Sequence, residues 1–326
     1  MTKEEKIYIA GHRGLAGSAI VRSLQKNGHT NLVTRTHAEL DLIDARAVAE
    51  FFASEKPDHA ILAAAKVGGI LANNTYPADF IYQNLAIQTN VIHQAAQSGV
   101  TRLLFLGSSC IYPRDCPQPI KEEYLLTGPL EETNKAYAIA KIAGIEMCAS
   151  YNKQYGTQFL CAMPTNLYGP GDNYDLNTSH VLPALLRKAI TAKKENQPSM
   201  TVWGSGTPRR EFLYSDDLGD ACAMLLSLPW ETIVSALPND RLPLINVGYG
   251  EDLTIRELAE AIIDAVGFAG ALDWDRSKPD GTPRKLMDSS RIRGLGWKPT
   301  YSMRDGLNII HTNLLHIGAK NHQFSA

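Results

Sequence analysis

The chain has 326 residues, 44% of them hydrophobic, and 32 Lys and Arg against 34 Asp and Glu. That length predicts two closely joined domains around a substantial core, and the balanced charge gives no field to draw the chain onto nucleic acid or an anionic membrane. No apolar run approaches the ~18–20 residues that span a bilayer and MTKEEKIYIAGHRG lacks a signal-peptide hydrophobic region, so the chain reads as cytoplasmic. Five scattered cysteines (Cys110, Cys116, Cys148, Cys161, Cys222) without CxxC or Cys/His spacing predict reduced thiols and no metal.

The first half alternates short apolar runs with helical patterns, as βαβ units do. Lys6 to Ala10 predicts a strand. Gly11-His12-Arg13-Gly14-Leu15-Ala16-Gly17 follows with GxxGxxG spacing as the first helix opens. Glycines suit that turn because backbone amides must approach a pyrophosphate and the helix must lie tight on the sheet. The second strand, Asn31 to Thr34, carries no acid at its end for a ribose 2′-hydroxyl. Arg35 stands there instead, and with Arg13 it offers charge-assisted bonds to a 2′-phosphate, so NADP(H) is the expected cofactor.

Helix Asp44 to Lys56 is stopped by Pro57. Strand His59 to Ala65, helix Pro77 to Ser98, strand Arg102 to Ser108, helix Thr133 to Tyr155 and strand Gln158 to Met163 follow. Right-handed crossovers make this an α/β fold with a doubly wound parallel sheet, a Rossmann fold. After Gly169-Pro170-Gly171 the rhythm loosens. We therefore expect an NADP-binding domain over 1–170 and a smaller, discontinuous substrate-binding domain over 171–326. Residues 213–248 are expected to return to the first, and the tail NHQFSA to fray.

Tyr137-Ala-Ile-Ala-Lys141 places a phenol and an ammonium one helical turn apart on one face. A nearby cation favours the phenolate and makes tyrosine a better proton carrier. This pair follows Gly107-Ser108-Ser109 at the carboxyl end of a strand, the side of such sheets where ligands bind.

GxxGxxG, GSS, YAIAK and PTNLYGPGDNYD together resemble the extended short-chain dehydrogenase/reductases that act on nucleotide sugars. GSSCIYP, SHVLPALLRK, VWGSGTPRREFLYSDDL and SKPDGTPRK narrow the resemblance to the GDP-L-fucose synthases, over about Lys6 to Leu315. The resemblance implies 3,5-epimerisation and NADPH-dependent 4-reduction of GDP-4-keto-6-deoxy-D-mannose. It assigns Cys110 as base and His180, at the expected start of a helix Val181 to Lys194, as acid. Ser108 and Tyr137 would bond the C4 oxygen, and Lys141 would support them. Cys110 lies two residues beyond Ser108, so persisting strand geometry would aim both side chains the same way.

Leu106, Gly107, Ser109, Lys141, Pro164, Thr165, Asn166, Leu167 and His180 are further cofactor positions under the resemblance. Lys188, Trp203, Arg210 and Asp280 match its substrate contacts, with Arg209, Arg284 and Lys285 available to a pyrophosphate. Read without the resemblance, Trp203 fits the core of the smaller domain equally well. In the proteins it resembles, the two long helices pair across a two-fold axis, so the resemblance implies a homodimer through a four-helix bundle. A 4-epimerase or dehydratase on the same fold, or a catalytically silent NADP-binding module, remains the alternative.

Overall fold

The computed structural model describes residues 1–176, 178–237, 242–278 and 280–320. The tail NHQFSA, Asn177 and Pro279 lie outside the described residues.

Six parallel strands form the main sheet: β1 (Ile7–Ala10), β2 (Leu32–Val33), β3 (His59–Leu62), β4 (Arg102–Leu106), β5 (Gln158–Pro164) and one later strand, Leu244–Val247. Their spatial order is β2-β1-β3-β4-β5 followed by the late strand. The chain winds away from β1 in both directions, so the β1/β3 boundary is a switch point, where loops part and leave a crevice. Each strand alternates its side chains between two apolar layers, because successive residues of a strand face opposite ways. Ile7, Ile9, Ile61, Leu104 and Leu106 face one layer, and Tyr8, Ala10, Leu62, Leu103 and Phe105 the other.

Helices cover both faces. They include α1 (Leu15–Lys26), α2 (Ala45–Glu55), α3 (Ile70–Thr75), α4 (Pro77–Gln97) and α5 (Lys135–Tyr155). Asp44 caps α2 by accepting from the amides of Arg46 and Ala47, and Lys56 closes it in the left-handed region. The expected strand Asn31 to Thr34 shrinks to two residues. The strand expected over His59 to Ala65 ends at Leu62, because the chain turns there to pass beneath the glycine loop.

A second sheet is built on β8 (Arg209–Tyr214). With strands numbered in chain order, β6 (Asn166–Tyr168) runs parallel to its second half, while β10 (Asp252–Thr254) and β12 (Arg284–Lys285) flank its first. β7 (Ser199–Trp203) pairs with β11 (Ala271–Asp275), and the late strand of the main sheet is β9. Three further helices matter below: α6 (Val181–Lys194), α7 (Ser215–Ser227) and, after the short α8 (Trp230–Ala236), α9 (Ile255–Val266). α7 packs on α1, Arg22 of α1 pairs with Asp216, and Asp217 accepts from the amides of Thr300 and Tyr301. No helix of the described residues is long and apolar enough to cross a membrane.

Candidate active site

The glycine turn between β1 and α1 is shaped by contacts that tolerate no side chain. Gly11 has φ +86°, and a Cβ there would lie 2.6 Å from the amide nitrogen of Ala64. A Cβ on Gly17 would lie 2.1 Å from the carbonyl oxygen of Gly11. Backbone thus approaches backbone directly, and α1 begins at Leu15 with no acid in its first turn and no side-chain cap. Its first amides are left as donors at the positive end of the helix dipole. Ala16 packs into the apolar layer under α1, and the Nδ1 of His12 is buried without a hydrogen bond.

The two arginines behave differently from each other. Arg35 pairs with Glu55, donates to the Thr34 carbonyl at 2.8 Å and lies over the Phe51 ring. Arg13 is exposed, with neither hydrogen bond nor ion pair among the described residues. In the free protein Arg35 is thus engaged by a carboxylate of α2, whereas Arg13 is engaged by none among the described residues.

Beyond β4 the chain leaves the strand. Gly107 still donates to the Ala162 carbonyl, but residues Ser109–Ile111 form a 3₁₀ turn that Ser108 caps. Strand geometry does not persist to Cys110. The turn nevertheless brings the Ser108 hydroxyl within 3.2 Å of the Cys110 sulfur, and Cys110 N donates to Ser108 Oγ at 3.4 Å. Ser109 is buried beneath.

Tyr137, from the first turns of α5, joins them. Burial raises its phenol well above the ordinary range, with the neighbouring Cys110 acting the same way and a hydrogen bond with Ser108 opposing. Lys141 is expected to favour the phenolate, but in the free protein desolvation of Tyr137 acts the other way. Lys141 is itself fully enclosed. Its Nζ donates to the Leu106 carbonyl at 2.9 Å and sits 4.7 Å from the Phe105 ring centroid and 5.9 Å from that of Tyr137. Burial brings its pKa down to about 7.

His180 stands at the N-terminus of α6 without capping it. A role as a helix cap therefore does not explain it. The chain just before it reaches the ligand side of the sheet through Gly69, whose amide donates to the Thr178 carbonyl at 3.3 Å. The Gly68 and Gly69 carbonyls are in turn held by Asn73 Nδ2. The His180 imidazole is exposed, and desolvation lowers its pKa below the usual value. Among the described residues it has no hydrogen bond or ion pair, with the Ser108–Cys110–Tyr137 group or elsewhere.

Pro164, Thr165, Asn166 and Leu167 carry the chain from the main sheet to the second one. Thr165 Oγ1 and Asn166 Nδ2 both bond the Glu211 carbonyl, so these side chains brace the junction, and Leu167 packs on the main-sheet layer. The remaining predicted residues gather on the second sheet's side. Trp203 is 61% exposed, which removes the core reading of that residue. Lys188 Nζ lies 5.2 Å from its ring centroid and donates to the Thr201 carbonyl. Arg210 donates to the carbonyls of Arg209 and Thr282. Asp280 accepts from the amide and hydroxyl of Ser205, so part of its capacity is already used. Arg209 and Arg284 both bind Asp252, whereas Lys285 has no ion pair among the described residues.

The model of the NAD dependent epimerase/dehydratase family matches residues 7–233. The chain belongs to that family. GDP-L-fucose synthase 1 of Arabidopsis thaliana is 59% identical over 306 residues, 94% of this chain and 92% of that one. The GDP-L-fucose synthase of Escherichia coli (strain K12) is 56% identical over 304 residues, 93% of this chain and 94% of that one. A solved GDP-mannoheptose C4 reductase from Campylobacter jejuni with NADP bound superposes with TM-score 0.86 at 43% identity, covering 96% of this chain and 98% of that one.

This epimerase/dehydratase family member also has site residues that motif reading passed over. Tyr112 donates to Asn246 of β9 at 2.5 Å and anchors the turn carrying Cys110. Phe80 packs edge-on against Tyr137, and Asn84 binds the Lys66 backbone on both sides. Tyr112 stood in the quoted GSSCIYP run, but its partner is 134 positions away, beyond any local signal.

Proposed function

We propose that the chain is an NADPH-dependent enzyme that epimerises GDP-4-keto-6-deoxy-D-mannose at C3 and C5 and reduces its C4 ketone, giving GDP-L-fucose. The carrying observation is the meeting of Ser108, Cys110 and Tyr137 beside the buried Lys141 at the carboxyl end of β4. Relatives named as GDP-L-fucose synthases at 54–59% identity support the substrate.

The glycine turn, the bare first turn of α1 and the exposed Arg13 fit a dinucleotide phosphate, and Leu106, Gly107, Ser109, Lys141 and the 164–167 crossing would line the rest of its site. When bound, NADPH supplies a hydride. Ser108 and Tyr137 donate hydrogen bonds to the sugar's C4 oxygen, stabilising the negative charge that gathers there when a proton leaves C3 or C5. Cys110 removes that proton on one face and His180 returns one on the other. Tyr137 then gives its proton to the C4 oxygen as the ketone is reduced. Lys188, Trp203, Arg210 and Asp280 hold the GDP end, the indole offering a stacking face for guanine.

The division into a cofactor domain over 1–170 and a substrate domain over 171–326 is part of the proposal, supported by the separate second sheet. So is a homodimer in which α4 and α5 pair with their symmetry mates as a four-helix bundle, supported by the exposed Tyr82 and Ile139 on those helices. A cytoplasmic location fits five free cysteines.

Incubation with the keto sugar and NADPH in deuterium oxide tests the reaction. Deuterium at C3 and C5, with one NADPH oxidised per product, is expected. Absence of label at both carbons would sink the epimerase half, and turnover with tightly retained NAD and no need of NADPH would favour a 4-epimerase.

A further inference from the structure

Strand β7 alternates, burying Met200 and Val202 and turning Thr201 and Trp203 outward. An indole left 61% exposed at the end of a strand is a costly surface unless something covers it. Here two ammonium groups lie against it and still leave most of it open. Lys188 reaches it from α6 at 5.2 Å, and Lys278 from the turn after β11 at 5.4 Å from the ring centroid. That turn is fixed close by. Asp275 pairs with Trp203 in the β7–β11 ladder, its carboxylate caps Ser277, and its carbonyl accepts from Lys278 N.

The two cations are not equivalent. Lys188 Nζ is anchored on the Thr201 carbonyl at 3.1 Å. Lys278 is exposed, and its ammonium has no hydrogen bond or ion pair among the described residues. Two like charges against one ring repel, and an arriving polyanion relieves that repulsion. A base stacking on Trp203 competes with a cation for the ring, and the unanchored lysine is the one able to leave.

We propose that Lys278 is a further substrate-binding residue: it rests on Trp203 in the free protein and moves to the diphosphate of a purine nucleoside diphosphate when the base takes its place on the indole. The inference rests on the reading of Trp203 as the base platform. Calorimetric titration with GDP and with guanosine, at low and high salt, tests it on wild type and Lys278→Met, which keeps an apolar stem but loses the charge. The variant should bind GDP about tenfold more weakly, show a flatter salt dependence and bind guanosine within about twofold of wild type. Unchanged GDP affinity, or equal weakening of GDP and guanosine, overturns the proposal. Trp203→Leu tests the underlying reading separately: it should weaken both ligands, and if it weakens neither, the platform itself is wrong regardless of Lys278.

Discussion

At the scale of single residues the site turns on which groups are neutral. Burial raises the pKa of the Tyr137 phenol, which suits it to donate to the C4 oxygen under the proposal, with the carbon chemistry assigned to Cys110 beside it. Cys110→Ser should therefore stop deuterium entering the sugar with NADPH affinity intact. Tyr137→Phe should lower the reduction rate by roughly 10²–10⁴. Similar loss of cofactor binding in both variants would count against the division of labour. Lys141 gives a stability test. Its folded pKa of about 7 lies below the ordinary 10.5, so between those values the unfolded chain binds the extra proton. The burial penalty is full below that window and fades as pH rises through it. Urea unfolding of the cofactor-free protein should show this contribution growing from pH 7 toward 10, and Lys141→Met should flatten the curve.

At the scale of elements, short segments do the positioning. The 3₁₀ turn after β4 replaces the continued strand that spacing suggested, yet it still joins Ser108 to Cys110, because the Ser108 hydroxyl caps the turn in which Cys110 sits. The end of β2 and the loop before α1 illustrate the opposite case. Arg35 stands at the place expected of a phosphate ligand, and in the free protein Glu55 of α2 pairs with it. Arg13→Gln is thus expected to weaken NADPH about tenfold, and Arg35→Gln less, with a stability loss of about 0.5–1 kcal/mol from the Glu55 pair and the Phe51 contact. Fluorescence titration and thermal melts separate the two effects. A larger affinity loss from Arg35→Gln would make Arg35 the main phosphate ligand.

For the whole molecule, the main and second sheets are joined along the Thr165–Asn166 crossing, where both side chains bond the Glu211 carbonyl. Helices α4 and α5 pack on each other and leave Tyr82 and Ile139 at 64% and 41% exposure, a surface suited to a second copy. Ile139→Asp should convert the dimer to monomer in sedimentation velocity, because a buried carboxylate without a partner costs several kcal/mol. A dimer that survives this change would place the interface elsewhere.

The amino-acid sequence by itself determined the alternating strands and helices of the first half, the glycine turn, the bounds of α6 and the Tyr137–Lys141 pairing. These depend on periodicity and on steric rules acting within a few residues. Elements of two to six residues, such as α3, β10 and β12, carry too little periodicity to announce themselves. Tertiary structure alone decided that Trp203 faces water, that Glu55 pairs with Arg35 and that Tyr112 braces the turn carrying Cys110 from Asn246. Each is a contact between chain-distant groups, and burial and partner choice exist only once the chain has closed upon itself.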